Sequence, residues 1–138
     1  IAHDQAKLVE VFIGIGLVLD SGSSYFLPRS VGSARAFELA TMGGKLSASQ
    51  AMDWGIVNRV VGVDELDEEV QKVTSFYASA PTKAIGFMKD MLNRSSTSTL
   101  DEVLSYEAEY QDKAGDTNDY AEGLQAFLEK RKPNFKGE

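Results

Sequence analysis

The residues able to do chemistry gather in two places. One is the stretch GIGLVLDSGSSYFLPRSVG, residues 14–32, which sets a single carboxylate, Asp20, in a Gly/Ser-rich turn behind an apolar run. A carboxylate walled by Leu17, Val18, Leu19 and Tyr25 is desolvated, and desolvation makes it a usable proton acceptor. The same residue also suits an N-cap, accepting backbone N–H bonds from the next turn at a gain of about 1 kcal/mol. Spacing does not separate the two, and helix statistics favour the cap. The other place is the basic cluster Lys130, Arg131, Lys132 and Lys136. Cations there complement the dipole of a preceding helix. They also suit a phosphorylated ligand, with Phe127 one turn earlier as an apolar or stacking surface. On chemistry alone the dipole reading leads.

Several other chemistries are excluded. Gly14 and Gly16 begin a dinucleotide fingerprint, but Leu19 stands where its third glycine belongs. The serines around Gly22 are not in a GxSxG elbow, and His3 is the only histidine. With no cysteine and one histidine, disulfides, thiolate nucleophiles and zinc-cysteine or multi-histidine metal sites are ruled out, and no metal is assigned. A net charge of −7 opposes nucleic-acid and anionic-membrane binding. No apolar run approaches the ~20 residues of a membrane span, and the first residues lack the pattern of a signal peptide, so a cytoplasmic setting is expected. Small molecules and other proteins remain as partners. The 138 residues, 43% of them hydrophobic, have the size of one domain. Opening at Ile1 and quickly entering strand-like sequence, the chain reads as a piece of a longer polypeptide.

The elements that must position Asp20 are mixed α and β. KLVEVFIGI, Lys7 to Ile15, reads as a strand. A short helix follows, capped by Asp20 or Ser21 and ending near Pro28. Ser33 caps a second helix, SARAFELATM, with Ala36, Phe37 and Ala40 on one face and Gly43 and Gly44 at its end. Ser47 and Gln50 have capping-box spacing ahead of a helix stopped by Gly55, and Ile56 to Val61 reads as a strand. From there the pattern is helical. Asp64 caps a helix bearing Leu66, Val70, Val73 and Tyr77, and Pro81 opens one bearing Ile85, Met88 and Leu92. Thr99 and Glu102 box the start of another, with Leu100, Val103 and Leu104 inward. The last runs from about Asn118, with Tyr120, Leu124, Phe127 and Leu128 as its face, and stops before Pro133. Trp54 and Tyr77 are expected in the core and His3 at the surface. Residues 1–62 form one expected domain and 63–138 a second, helical one. Its narrow apolar stripes require a partner surface, from the rest of the chain or another subunit.

The strings GLVLDSGSSYFLPRSVG, SARAFELATMGGKLSASQAMDWGIVNRVV and AFLEKRKPNFKG together resemble the C-terminal half of the enoyl-CoA hydratase/isomerase, or crotonase, family. The LDSG tract with YFLPR is most similar to the branch that isomerises ring-opened or epoxidised phenylacetyl-CoA intermediates. The resemblance implies the end of a ClpP-like ββα spiral followed by a helical oligomerisation region, in homotrimers or hexamers. It implies an acyl-CoA thioester as substrate, with no prosthetic group. It also implies two backbone N–H donors for the thioester oxygen, both in segments before Ile1. The hydratases' second glutamate falls on Phe12, which moves no proton, whereas the isomerase-like branch places its single aspartate at Asp20. Leu19 departs from the proline common in the family. Phe127 and Lys130 match positions that contact the CoA nucleotide. Three expectations follow: an isomerase using Asp20, a hydratase whose acid lies upstream, and, for this chain alone, an assembly module without activity.

Overall fold

In the computed structural model, which describes residues 1–138, the run KLVEVFIGI stays extended only briefly. Strand β1 is Ala2–His3 and β2 is Lys7–Val9. β2 pairs antiparallel with β3, Lys45–Ser47, setting Leu8 opposite the buried Leu46. A three-residue partner leaves nothing beyond Val9 to pair with, so the chain coils into a 3₁₀ turn, Phe12–Ile15, closed by Gly16 at φ 72°. The expected strand Ile56 to Val61 is likewise reduced to β4, Val60–Val61, because its partner β1 is two residues long. These two pairs form separate two-stranded sheets, β1–β4 parallel and β2–β3 antiparallel.

Helix α1, Ser23–Val31, overruns Pro28, where it was expected to stop. The missing N–H deprives only the exposed Ser24 carbonyl of its partner, and the helix ends instead at Gly32, φ 82°. Helix α2, Ser33–Met42, has the expected bounds, but its cap is Gly32 rather than Ser33. Gly43, at φ 62°, ends it. Helix α3, Ala48–Asp53, opens with the Ser47/Gln50 capping box in both directions: Gln50 N–H donates to Ser47 Oγ at 3.3 Å and Ser47 N–H to Gln50 Oε1 at 3.0 Å. A 3₁₀ turn, Val63–Glu65, precedes α4, Leu66–Ala78. That turn moves the cap away from Asp64: the Glu65 carboxylate reaches back to the Gly62 N–H at 2.9 Å.

Helix α5 is Thr82–Ser95, with Pro81 as its N-cap rather than its first helical residue. Helix α6, Leu100–Gly115, carries the expected box: Thr99 N–H donates to Glu102 at 2.7 Å and Glu102 N–H to Thr99 Oγ1 at 3.4 Å. Helix α7 is Asn118–Glu129, capped by Thr117, whose Oγ1 accepts from Tyr120 N–H at 3.1 Å.

The chain divides into two units, Ile1–Gln71 and Lys72–Glu138. The buried apolar residues of the first are Val31, Ala36, Leu39, Leu46, Ala48 and Ala51; those of the second are Ala80, Tyr106 and Ala126. Most are small, and no large side chain is fully buried. Leu100 and Leu104, expected inward, and Tyr77, expected in the core, are exposed, while Val103 is half-buried; on the other stripes Phe37 is 71% exposed and Phe127 80%, and Met88, Leu92, Tyr120, Leu124 and Leu128 are exposed as well. Trp54 is half-buried with the Arg35 guanidinium 5.0 Å from its ring centroid. The stripes thus have the expected helical period, and part of each is exposed.

Thr99→Ala removes a two-way cap and is expected to cost about 1 kcal/mol. Asp20→Ala, which touches no cap bond, is expected to cost much less. Urea unfolding of the two variants side by side checks this order.

Candidate active site

Asp20 stands in a turn built almost entirely from backbone. Gly16 N–H bonds the Ile13 carbonyl at 3.1 Å and Leu17 N–H the Phe12 carbonyl at 3.0 Å, which closes the 3₁₀ turn; residues 17–20 that follow have no regular structure. Ser21 (φ 50°) and Gly22 (φ 83°) are then consecutive left-handed residues, and they reverse the chain into α1. Gly22 is the N-cap of α1, with no side-chain capping bond. A Cβ there would lie 3.1 Å from the Phe26 ring, so conformation and space both select glycine. The Asp20 carbonyl accepts the Ser23 N–H at 2.8 Å; its carboxylate takes no part in capping and is exposed. The capping expectation for Asp20 and Ser21 therefore fails, because two left-handed residues intervene before the helix. Of the expected apolar wall, Leu17 and Val18 are exposed, the latter at 83%, and only Leu19 is half-buried. Within this chain Asp20 borders an apolar rim open to solvent. Tyr25, one turn into α1, carries Arg29 over its ring at 3.5 Å.

In the second unit, Phe127 lies in the last turn of α7 and Lys130 is that helix's C-cap, left-handed at φ 55°. Lys130 N–H donates to the Phe127 carbonyl at 3.2 Å, so these two candidate ligand residues are tied by their backbone. Beyond Lys130 the tail doubles back along α7. The Arg131 guanidinium spans both oxygens of Glu122, at 2.6 and 2.9 Å, and also reaches Glu129 at 2.6 Å. Asn134 N–H donates to Glu122 at 2.7 Å. Phe135 lies against Gly123, where a Cβ would come within 3.4 Å of its ring. Asp119, only 4% exposed, accepts the Lys136 and Gly137 N–H groups at 2.7 and 2.8 Å, one on each oxygen. At Gly137, φ is 77° and a Cβ would collide with Thr82 Oγ1. Behind this strap lies an apolar cleft of about 330 Å³ lined by Pro81, Ala84, Ala114, Tyr120, Leu124 and Phe135.

Asp20 belongs to the first unit, and Phe127 and Lys130 to the second. Phe12 is half-buried in the 3₁₀ turn, four residues before Gly16. His3 lies in β1, where its Nδ1 accepts the Gln5 N–H at 3.2 Å. The strap acids Asp119 and Glu122 went unnoticed in the sequence, since acids at the start of a helix are already explained by its dipole. Their partners are 9 to 18 residues away, and no local pattern announces such a pairing.

A model of the enoyl-CoA hydratase/isomerase family matches residues 1–138. The chain is 43% identical over 137 residues to the 1,2-epoxyphenylacetyl-CoA isomerase of Escherichia coli (strain K12), covering 99% of itself and 52% of that protein. It is 34% identical over 137 residues to a probable enoyl-CoA hydratase of Rhodobacter capsulatus, covering 99% of itself and 53% of that protein. Among solved structures, a putative enoyl-CoA hydratase/isomerase from Mycobacterium abscessus superposes with a TM-score of 0.95 at 35% identity, over 99% of this chain and 52% of that one. This chain belongs to the enoyl-CoA hydratase/isomerase family, and its mixed α/β architecture is that of the crotonase fold. It spans about half the length of the curated relatives it matches. No helix is long and apolar enough to cross a membrane.

Arg131 and the Asn134 N–H hold the Glu122 carboxyl down to about 2, from an ordinary 4.5. A folded value below the unfolded one means a contribution present above about 4.5 and lost as the pH falls toward about 2. Over that window the urea midpoint of the native chain is expected to fall more steeply than that of Glu122→Gln, which has already lost the charge. Parallel slopes would show that the pair does not stabilise the fold.

Proposed function

We propose that the full-length enzyme carrying this chain is an acyl-CoA isomerase in which Asp20 is the general acid/base. The observation that carries this reading is that Gly22, not Asp20, caps α1. The one acid in the turn is left with an exposed carboxylate at the edge of an apolar rim. In the reaction, Asp20 takes a proton from one carbon of the acyl group and returns it at another, with no net change of oxidation state. Phe12 occupies the place where a hydratase carries its second glutamate. It supplies no carboxylate to direct water, which supports isomerisation over hydration.

Two parts of the site come from outside these residues. The N–H donors for the thioester oxygen belong to the part of the fold that this chain does not span, and they stabilise the enolate formed as the proton leaves. Closure of that part over Leu17, Val18 and Phe26 dries the rim around Asp20, which strengthens its interactions with the substrate. Phe127 and Lys130 contact the CoA nucleotide. The exposed faces of α5, α6 and α7 pack in a homotrimer or hexamer. A thioester derived from phenylacetyl-CoA is the substrate, supported by the 43% identity to an isomerase named for one. No prosthetic group takes part, and the enzyme works in the cytoplasm.

In the full-length enzyme, Asp20→Asn is expected to lower kcat by at least about a hundredfold, the usual contribution of a general acid/base, with the Kd for a CoA thioester nearly unchanged. Undiminished turnover would remove Asp20 from the mechanism. The 138-residue chain by itself is expected to show no turnover with an enoyl-CoA, and measurable activity would mean that it holds its own oxyanion donors.

A further inference from the structure

Two non-glycine residues in the chain have positive φ, Ser21 at 50° and Lys130 at 55°. The first adjoins the candidate acid; the second is the candidate nucleotide contact. A side-chain-bearing residue in this region is strained and persists only where its surroundings over-determine it. Glycine is the ordinary occupant of this place at the end of a helix. Having lysine there puts a charge where conformation alone would ask for no side chain.

The surroundings of Lys130 do over-determine it. On its N-terminal side its own N–H is held by the Phe127 carbonyl. On its C-terminal side Arg131 N–H bonds the Ala126 carbonyl at 3.0 Å. The Arg131 guanidinium is then fixed at both ends of its fork, with Nη1 and Nη2 on Glu122, Nε on Glu129, and Nη1 also on the Lys132 carbonyl at 3.2 Å. Glu122 is fixed in turn by the Asn134 N–H. The basic cluster therefore divides by role. Arg131, the member best suited by its planar fork to grip a phosphate, has that fork on protein carboxylates instead.

We propose that Arg131, held by Glu122, is a positioning residue that locks Lys130 in its left-handed conformation, and so sets affinity for the nucleotide end of the CoA thioester without touching it. This rests on the reading in which Lys130 contacts that nucleotide. Lysine in place of Arg131 keeps the charge but loses the fork, and glutamine in place of Glu122 removes the charge on which the fork closes.

Steady-state kinetics of the full-length enzyme with an enoyl-CoA, and with the same acyl group on pantetheine, which lacks the nucleotide, provide the test. Arg131→Lys and Glu122→Gln are each expected to raise KM for the CoA ester by about tenfold, the scale of one charge-assisted hydrogen bond. Both should leave kcat and the pantetheine KM unchanged. Lys130→Ala is expected to raise the CoA-ester KM at least as far. If Lys130→Ala raises it and neither Arg131→Lys nor Glu122→Gln does, the positioning role is wrong while the nucleotide contact stands. An equal rise for the pantetheine ester means general damage to the fold and overturns the proposal. If Lys130→Ala leaves both KM values unchanged, the nucleotide contact fails and the proposal fails with it.

Discussion

Apolar burial is in short supply in this chain, and what holds its elements in place is the closing of backbone hydrogen bonds at their ends. Five of the nine buried apolar residues are alanines, which contribute little area each. Against this, α3, α6 and α7 open on side-chain caps at Ser47, Thr99 and Thr117, and Glu65 closes the turn ahead of α4. Each is a short-range device, complete within four residues, that does not depend on what lies across the helix. Such caps fix where a helix starts and how the chain enters it. They cannot supply the apolar surface that Phe37, Leu100, Leu124 or Leu128 would need to be buried, and those residues stay in solvent.

The strap at the C-terminus is the exception to this local economy. Asp119 and Glu122 act over 9 to 18 residues, and between them they satisfy three backbone N–H groups of a tail with no regular structure of its own. A buried carboxylate is costly unless both oxygens are bonded. Here one oxygen of Asp119 accepts from Lys136 and the other from Gly137, so burial and satisfaction come together. Gly123 and Gly137 give the tail room to lie close, the first beside the Phe135 ring and the second beside Thr82. The tail is thus part of the second unit's architecture, not a trailing end.

Legibility in the sequence follows range. The boxes at Ser47/Gln50 and Thr99/Glu102, the start of α7 near Asn118 and the end of α2 at Gly43 were all readable, because each is decided by residues within one turn. Strand lengths were not. KLVEVFIGI has strand composition throughout, but a strand is as long as its partner, and β3 offers three residues. Pro28 misled because a helix survives the loss of one bond when the orphaned carbonyl is exposed. How much of each stripe is covered was not readable either: Ala36 is buried and Leu66, Val73, Ile85 and Val103 are half-buried, but Leu92, Leu124 and Leu128 are exposed, since the period of a stripe says nothing about whether its floor is present. At the site, the Asp20 turn was recognisable from its composition. Its geometry was not, because the position of the cap turns on whether Ser21 goes left-handed.

The two places where local rules are broken coincide with the two places where the sequence puts its chemistry. Ser21 and Lys130 both occupy a conformation that glycine adopts more easily, and glycines were available to this sequence at the equivalent ends of α2 and the first 3₁₀ turn. The helix dipole favours a cation near Lys130, but backbone conformation favours glycine at both positions. Departures of this kind are expected where function constrains a position against stability. At Lys130 the compensation is visible, in the Arg131 fork and its two carboxylates. At Ser21 it is not: Gly22 and the Asp20 carbonyl close the turn with backbone alone, and the apolar rim beside it is open. The difference follows from where each device finds its partners. The lysine clamp is assembled within twelve residues of α7 and the tail, so this chain completes it. The aspartate turn is closed by backbone bonds alone, and Leu17 and Val18 beside it stay exposed.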